Sequence, residues 1–123
     1  MDDYFLVKWK ENIIGILARV NGIYYTQFHA KHLQDEALGE EIIKQTSFQA
    51  DKLYKNDELF DFFEKRLRIE PNEDVFDRIR KTGAKRPTDN FWLQEMNEKQ
   101  KKAFKKTLKK ATEKQEKEYG EEK

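Results

Sequence analysis

The sequence predicts an α+β fold: a small antiparallel β-sheet that starts as an N-terminal meander, two or three short helices packed on it, and a charged C-terminal helical tail. Three observations carry that expectation. β-prone runs rich in aromatic and branched residues fill positions 4–28 and flank an Asn-Gly pair. Phenylalanine-bearing segments at helical spacing follow. Beyond Met96 the composition turns basic, which divides the chain into a body, residues 1–96, and a tail, residues 97–123.

The elements follow in order. Tyr4 to Trp9 reads as a strand with Trp9 in the core, and Lys10-Glu11-Asn12 as a polar turn. Ile13 to Val20 is a second strand, in which Gly15 marks a bulge or a close backbone approach. Asn21-Gly22 predicts a type I′ hairpin turn, because both central residues need positive φ, and Ile23 to Phe28 returns as a third strand. Ala30 to Ala37 reads as a short helix stopped at Gly39, Glu41 to Thr46 as a fourth strand, and Ser47 to Asn56 as a loop. Asn56 or Asp57 is placed to cap a helix whose apolar face is Leu59, Phe60, Phe63 and Leu67. Pro71 suits the first turn of a further helix, with Val75, Phe76 and Ile79 facing inward and Gly83 as a left-handed cap. Past Pro87, any of Thr88, Asp89 or Asn90 is suited to cap a last helix running through Phe91, Trp92 and Met96 into the tail.

Charge and composition narrow the function classes. The 123 residues carry 25 Lys+Arg and 24 Asp+Glu, but unevenly. The body holds 15 basic and 18 acidic residues, net −3; the tail holds ten Lys and six Glu, net +4. Without cysteine there is neither a disulfide nor a thiolate metal site, which suits a reducing cytoplasmic setting. The start, Met1-Asp2-Asp3, is acidic, and no apolar run approaches the roughly 18 residues a membrane span needs. Neither secretion nor membrane contact is expected.

Catalytic signatures are thin. His29 and His32 stand i,i+3, but only Asp35 and Glu36 lie near them in sequence, so no metal is expected. Gly83-Ala84-Lys85 lacks the spacing of a phosphate loop, and no kinase signature is present. The reading is a protein that is not an enzyme, takes no cofactor and has no small-molecule substrate. In the tail, Ala103, Phe104, Leu108 and Ala111 recur at helical spacing with less than one large apolar residue per turn, which predicts a helix that is solvated, frayed or ordered only by a partner, so the tail is read as helical or disordered. Its Lys101, Lys102, Lys105, Lys106, Lys109 and Lys110 are candidate non-specific phosphate contacts, but the tail holds no arginine to read bases. Any DNA contact is therefore expected to be weak or indirect. The half-exposed position expected for Trp92 makes it a candidate partner anchor.

Tyr4–Trp9, Gly15-Ile16-Leu17, Asn21-Gly22, Phe28, Leu59-Phe60-Asp61-Phe62-Phe63 and Lys81-Thr82-Gly83-Ala84-Lys85-Arg86-Pro87-Thr88-Asp89 occur in an order that resembles the N-terminal domain of HipA-family serine/threonine kinases, the toxins of bacterial toxin–antitoxin modules. The resemblance spans residues 4 to about 93 and leaves the tail outside. Asp61 stands where the family usually has proline, and the proline usual in the preceding loop is missing near Ser47-Phe48. The resemblance implies a non-catalytic, antitoxin-like subunit (HipS-like) that docks on a HipA-like kinase, with a helix-turn-helix repressor as a further partner. It directs attention to Phe48, Leu53 and Tyr54 in the central loop, and to Lys85, Arg86, Thr88, Asp89 and Trp92 near the last turn. The alternative is a small nucleic-acid-associated protein acting through its lysine-rich tail.

Overall fold

The computed structural model describes residues 2–29, 36–67, 71–86 and 90–121. Alternation in the sequence builds the first three strands, β1 (Asp3–Trp9), β2 (Asn12–Val20) and β3 (Ile23–Phe28). Asn21 and Gly22 have φ of 52° and 80°, the paired positive values that the expected hairpin turn requires. Gly15 meets both expectations placed on it. The β1–β2 register passes from Val7↔Gly15 to Lys8↔Ile13, so Ile14 is the extra residue of a bulge and its side chain is fully buried. A Cβ at Gly15 would lie 2.6 Å from the backbone oxygen of Gln27, which the β2–β3 ladder holds in place.

The sheet has five strands in the order β4-β3-β2-β1-β5, all paired antiparallel, with four helices. Several of its parts depart from the sequence expectations. The residues from Glu41 to Thr46 are not a strand, and Gly39 does not stop the helix. Instead α1 (Glu36–Lys44) runs through both and buries Ile42 and Ile43 at its end. Thr46 then terminates it by donating its hydroxyl to the Ile43 carbonyl at 2.6 Å. Burial of two adjacent isoleucines against the sheet overrides their strand propensity. The helix expected over Ala30–Ala37 falls mostly outside the described residues.

The segment Ser47–Asn56 is not only loop. Its end forms β4 (Tyr54–Asn56), paired with Tyr24 to Thr26 of β3, and Ala50 bridges to Phe28. The apolar block after it makes a single turn, α2 (Asp61–Glu64), where a longer helix was expected. Neither Asn56 nor Asp57 caps it. The N-cap is Phe60, in extended conformation and without a side-chain bond, while Asn56 Oδ1 accepts the amide of Asp57. Rings on different sides of this turn find different cover: Phe63 on Phe28, Phe62 on Phe91, Phe60 on Phe48. A one-faced helix could not serve all three.

The next helix, α3 (Val75–Thr82), starts after Asp74 and not at Pro71, which lies in the preceding turn. Asp74 Oδ1 accepts the Phe76 amide at 2.8 Å, a stronger start signal than proline because it satisfies an orphan N–H. Phe76 and Ile79 are buried as expected, and Gly83 ends the helix in the left-handed region at φ 66°.

The largest correction concerns the C-terminal third. Phe91 to Met96 does not continue into a helix: Phe91–Glu95 is strand β5, paired with β1 from Phe5↔Glu95 to Trp9↔Phe91. Backbone bonds from Lys10 N–H to Asn90 O and from Met96 N–H to Tyr4 O, each 3.0 Å, extend that ladder. Leu93 N–H also donates to Gly83 O at 2.7 Å, which ties the end of α3 to the outer side of β5. Helix α4 (Glu98–Glu121) begins only after Asn97. Asn97 Oδ1 accepts the Gln100 amide at 2.8 Å and Gln100 Oε1 accepts the Asn97 amide at 2.9 Å, a reciprocal capping box. Asn90 therefore caps nothing, and Thr88 and Asp89 lie outside the described residues.

Both faces of the sheet are covered. On one, Phe5, Val7, Leu17 and Phe28 pack with residues of α1, α2 and α3. On the other, Tyr4, Leu6, Ala18 and Met96 pack under Phe104, with Leu108 alongside. The break in composition after residue 96 is thus no break in packing, since the first turns of α4 are ordered by the chain's own sheet. Phe104→Ala should lower the unfolding free energy by about 3 kcal/mol, measured by urea denaturation. A loss within 0.5 kcal/mol would mean that α4 does not close the second face.

Candidate partner-binding surface

A buried charge fixes the ground on which the surface residues stand. Asp3 is 2% exposed, and both its oxygens are held by arginines: Arg19 from β2 at 2.8 Å and Arg80 from α3. Arg19 continues to Asp74 at 3.1 Å and Arg80 to Glu95 at 2.8 Å, so one network ties β1, β2, α3 and β5 together. Each guanidinium also lies over a ring, Arg19 4.6 Å from Phe76 and Arg80 5.4 Å from Phe5. Partial burial alone would lower the pKa of Arg19, but hydrogen bonds to Tyr24, Asp3 and Asp74 outweigh it and raise it above the ordinary arginine value. Burial likewise pushes Asp74 up, while the Phe76 amide and Arg19 pull it further down, for a net lowering.

This frame sets α3 and the Gly83 turn beside β5. Lys85 and Arg86 emerge there, both exposed. Trp92, half-buried in β5, donates its Nε1–H to the Lys10 carbonyl at 2.6 Å, which fixes the indole. Lys85 Nζ stands 5.0 Å and Lys8 Nζ 4.9 Å from its ring. Lys85 and Trp92 are therefore brought to one place, on the β5 edge of the sheet, while Arg86 borders a cavity with Lys65 and Arg66.

Phe48, Leu53 and Tyr54 are brought to the opposite, β4 edge, four strand spacings or roughly 19 Å away. Phe48 is half-buried and engaged by the chain's own rings, 5.3 Å from Phe28 and 4.9 Å from Tyr54. The Tyr54 hydroxyl accepts the Gln49 amide at 3.0 Å, so it too serves the loop. Ser47, beside Phe48, and Arg86 border one cavity of about 420 Å³ together with Phe62.

Of the tail lysines, Lys102, Lys106 and Lys109 are exposed and fall on the side of α4 turned away from Phe104. Lys110 is also exposed. Lys101 pairs with Glu98 at 3.4 Å, and Lys105 lies over the Tyr4 ring at 5.3 Å. His29 ends β3 and its Nδ1 meets Asp51 at 2.6 Å; His32 is outside the described residues. Among the described residues no three His, Asp or Glu converge on a metal-sized site, and no helix is long and apolar enough to cross a membrane.

Sequence reasoning missed a second cationic group. Lys65, Arg66 and Arg78 come together with Lys85 and Arg86 around one cavity. Of the residues that line it, only Arg78 and Thr82 share a face of α3, at i,i+4; Lys85 and Arg86 reach the cavity through the turn at Gly83, which helical spacing could not reveal. Comparison of this chain with family models, curated proteins and solved structures finds no match.

The Asp74 shift has a definite sign. With its folded pKa below the ordinary 3.8, the native chain binds fewer protons than the unfolded one in that range. The resulting stability is complete above the unfolded value and is lost as pH falls through the folded one. Asp74→Asn keeps a capping oxygen but removes the charge. Its Tm should lie below that of the parent protein at pH 7, and the gap should close as pH falls towards 3. A gap that is constant with pH would contradict the assignment.

Proposed function

We propose that this chain acts by contact, as a non-catalytic binding subunit that docks on a HipA-like serine/threonine kinase and restrains or positions it. One observation supports the reading above the rest. Trp92 is held at the sheet edge by its bond to the Lys10 carbonyl, with two lysine amines against its ring, an aromatic anchor within a basic rim. Such an edge suits a partner that offers an apolar slot for the indole and carboxylates around it. The order of meander, phenylalanine-bearing turn and Lys81–Asn90 segment along the chain adds the resemblance described above. A docked interface of standard size buries about 800 Å² per partner.

The tail reading, non-specific nucleic-acid binding, rests on the outward ridge of Lys102, Lys106 and Lys109. Deleting residues 97–123 would remove Phe104 from the fold, so the two readings are better separated by substitution. Affinity capture from the native host with the intact chain should recover a kinase-like protein. Trp92→Ala combined with Lys85→Glu should weaken that complex at least tenfold, and neutralising the three ridge lysines should leave it unchanged. Recovery of no kinase-like protein, or a complex weakened by the ridge substitutions and not by those at Trp92 and Lys85, would overturn the docking reading.

A further inference from the structure

We infer that the basic cavity between α2, α3 and the Gly83 turn is a binding site for a doubly charged phosphate group. The cavity measures about 300 Å³, and Lys65, Arg66, Arg78, Lys85 and Arg86 line it together with Thr82. Leu67 is its one apolar wall, and no carboxylate lines it among the described residues.

The charge balance decides what the cavity takes. Arg66 acts as a strut: it donates to the Ala84 and Phe91 carbonyls and lies between the Phe62 and Phe91 rings. Carbonyl oxygens do not cancel its charge, so with Lys65, Arg78, Lys85 and Arg86 the cavity carries five positive charges. Glu73 offsets one of them, at 3.7 Å from Arg78 Nε, a separation too long for a hydrogen bond. The negative end of α3 offsets roughly half a charge more. The remaining excess, between three and four, is enough to balance a phosphate monoester dianion and favours it over a singly charged anion.

The geometry favours that group over a nucleic-acid backbone. These cations converge on one concavity, whereas singly charged phosphodiesters spaced along a strand are matched by cations in a track. No aromatic ring lines the cavity for a base to stack on. Arginines beside lysines supply the planar donors that phosphate oxygens accept. The phosphate is either free or carried on a phosphorylated side chain; both present the same dianion. This inference does not rest on the docking reading, since phosphate alone tests it without any partner.

The test is an amide NMR titration of the full chain. One arm uses inorganic phosphate, a second a phosphoserine peptide, a third its unphosphorylated form, and a fourth an oligonucleotide without terminal phosphate. Saturable shifts confined to residues 65–67, 78–82 and 85–86 are expected with phosphate and the phosphopeptide. Tighter binding of the phosphopeptide than of inorganic phosphate would identify a modified side chain as the source; the reverse would identify the free ion. Phosphopeptide affinity should rise about tenfold from pH 5 to pH 7, because the second phosphate ionisation lies near 6. Lys85→Gln with Arg86→Gln, both exposed and outside the core, should weaken binding at least tenfold with the spectrum otherwise kept. Lys65→Gln should weaken it independently. Shifts spread along the α4 lysines, absence of saturation, equal affinity for the oligonucleotide, or unchanged binding in both variants would each overturn the assignment.

Discussion

Four consecutive residues of β1, Tyr4, Phe5, Leu6 and Val7, are buried. Because strand side chains alternate between faces, such a run needs cover on both sides of the sheet. It also needs ladder partners on both edges, since a buried backbone amide left unpaired is costly. β2 supplies one edge from the adjacent sequence. β5 supplies the other from 82 or more residues away, and α4 supplies the second cover. The body and the start of the tail are joined by this single demand.

The buried carboxylate of Asp3 works beside it. An ionised group taken out of water is tolerated only when paired and hydrogen-bonded. Arg19 and Arg80 meet that need, and in doing so they set α3 against the meander. The position of α3 then determines where Gly83, Lys85 and Arg86 emerge and which basic residues share a cavity with them. Both the Trp92 surface and the phosphate-sized cavity thus rest on a charge network at the sheet's interior.

The two surfaces are neighbours that share Lys85, but they use it differently. Over Trp92 the Lys85 amine completes an apolar and cationic anchor suited to a protein face. At the cavity the same side chain helps complete a small cationic concavity suited to one compact anion.

The meander, the Asn21-Gly22 turn, the bulge at Gly15 and the buried face and cap of α3 were legible from residues alone. Each is decided within a few positions, by a period of two or of 3.6 and by which residues accept positive φ. The strand from Phe91, the helix through Gly39 and the single turn at Asp61 were not, because local propensity there is weak or contrary. What settled them was an open edge on β1, a sheet face needing Ile42 and Ile43, and rings already waiting at Phe28, Phe48 and Phe91. The same holds for function. Sequence nominated Lys85 and Arg86 through the resemblance, and Trp92 also as a half-exposed indole ahead of the charged tail. Only folding brought Lys65, Arg66 and Arg78 to Lys85 and Arg86, because the packing of α2 against α3 sets that distance and spacing along the chain does not.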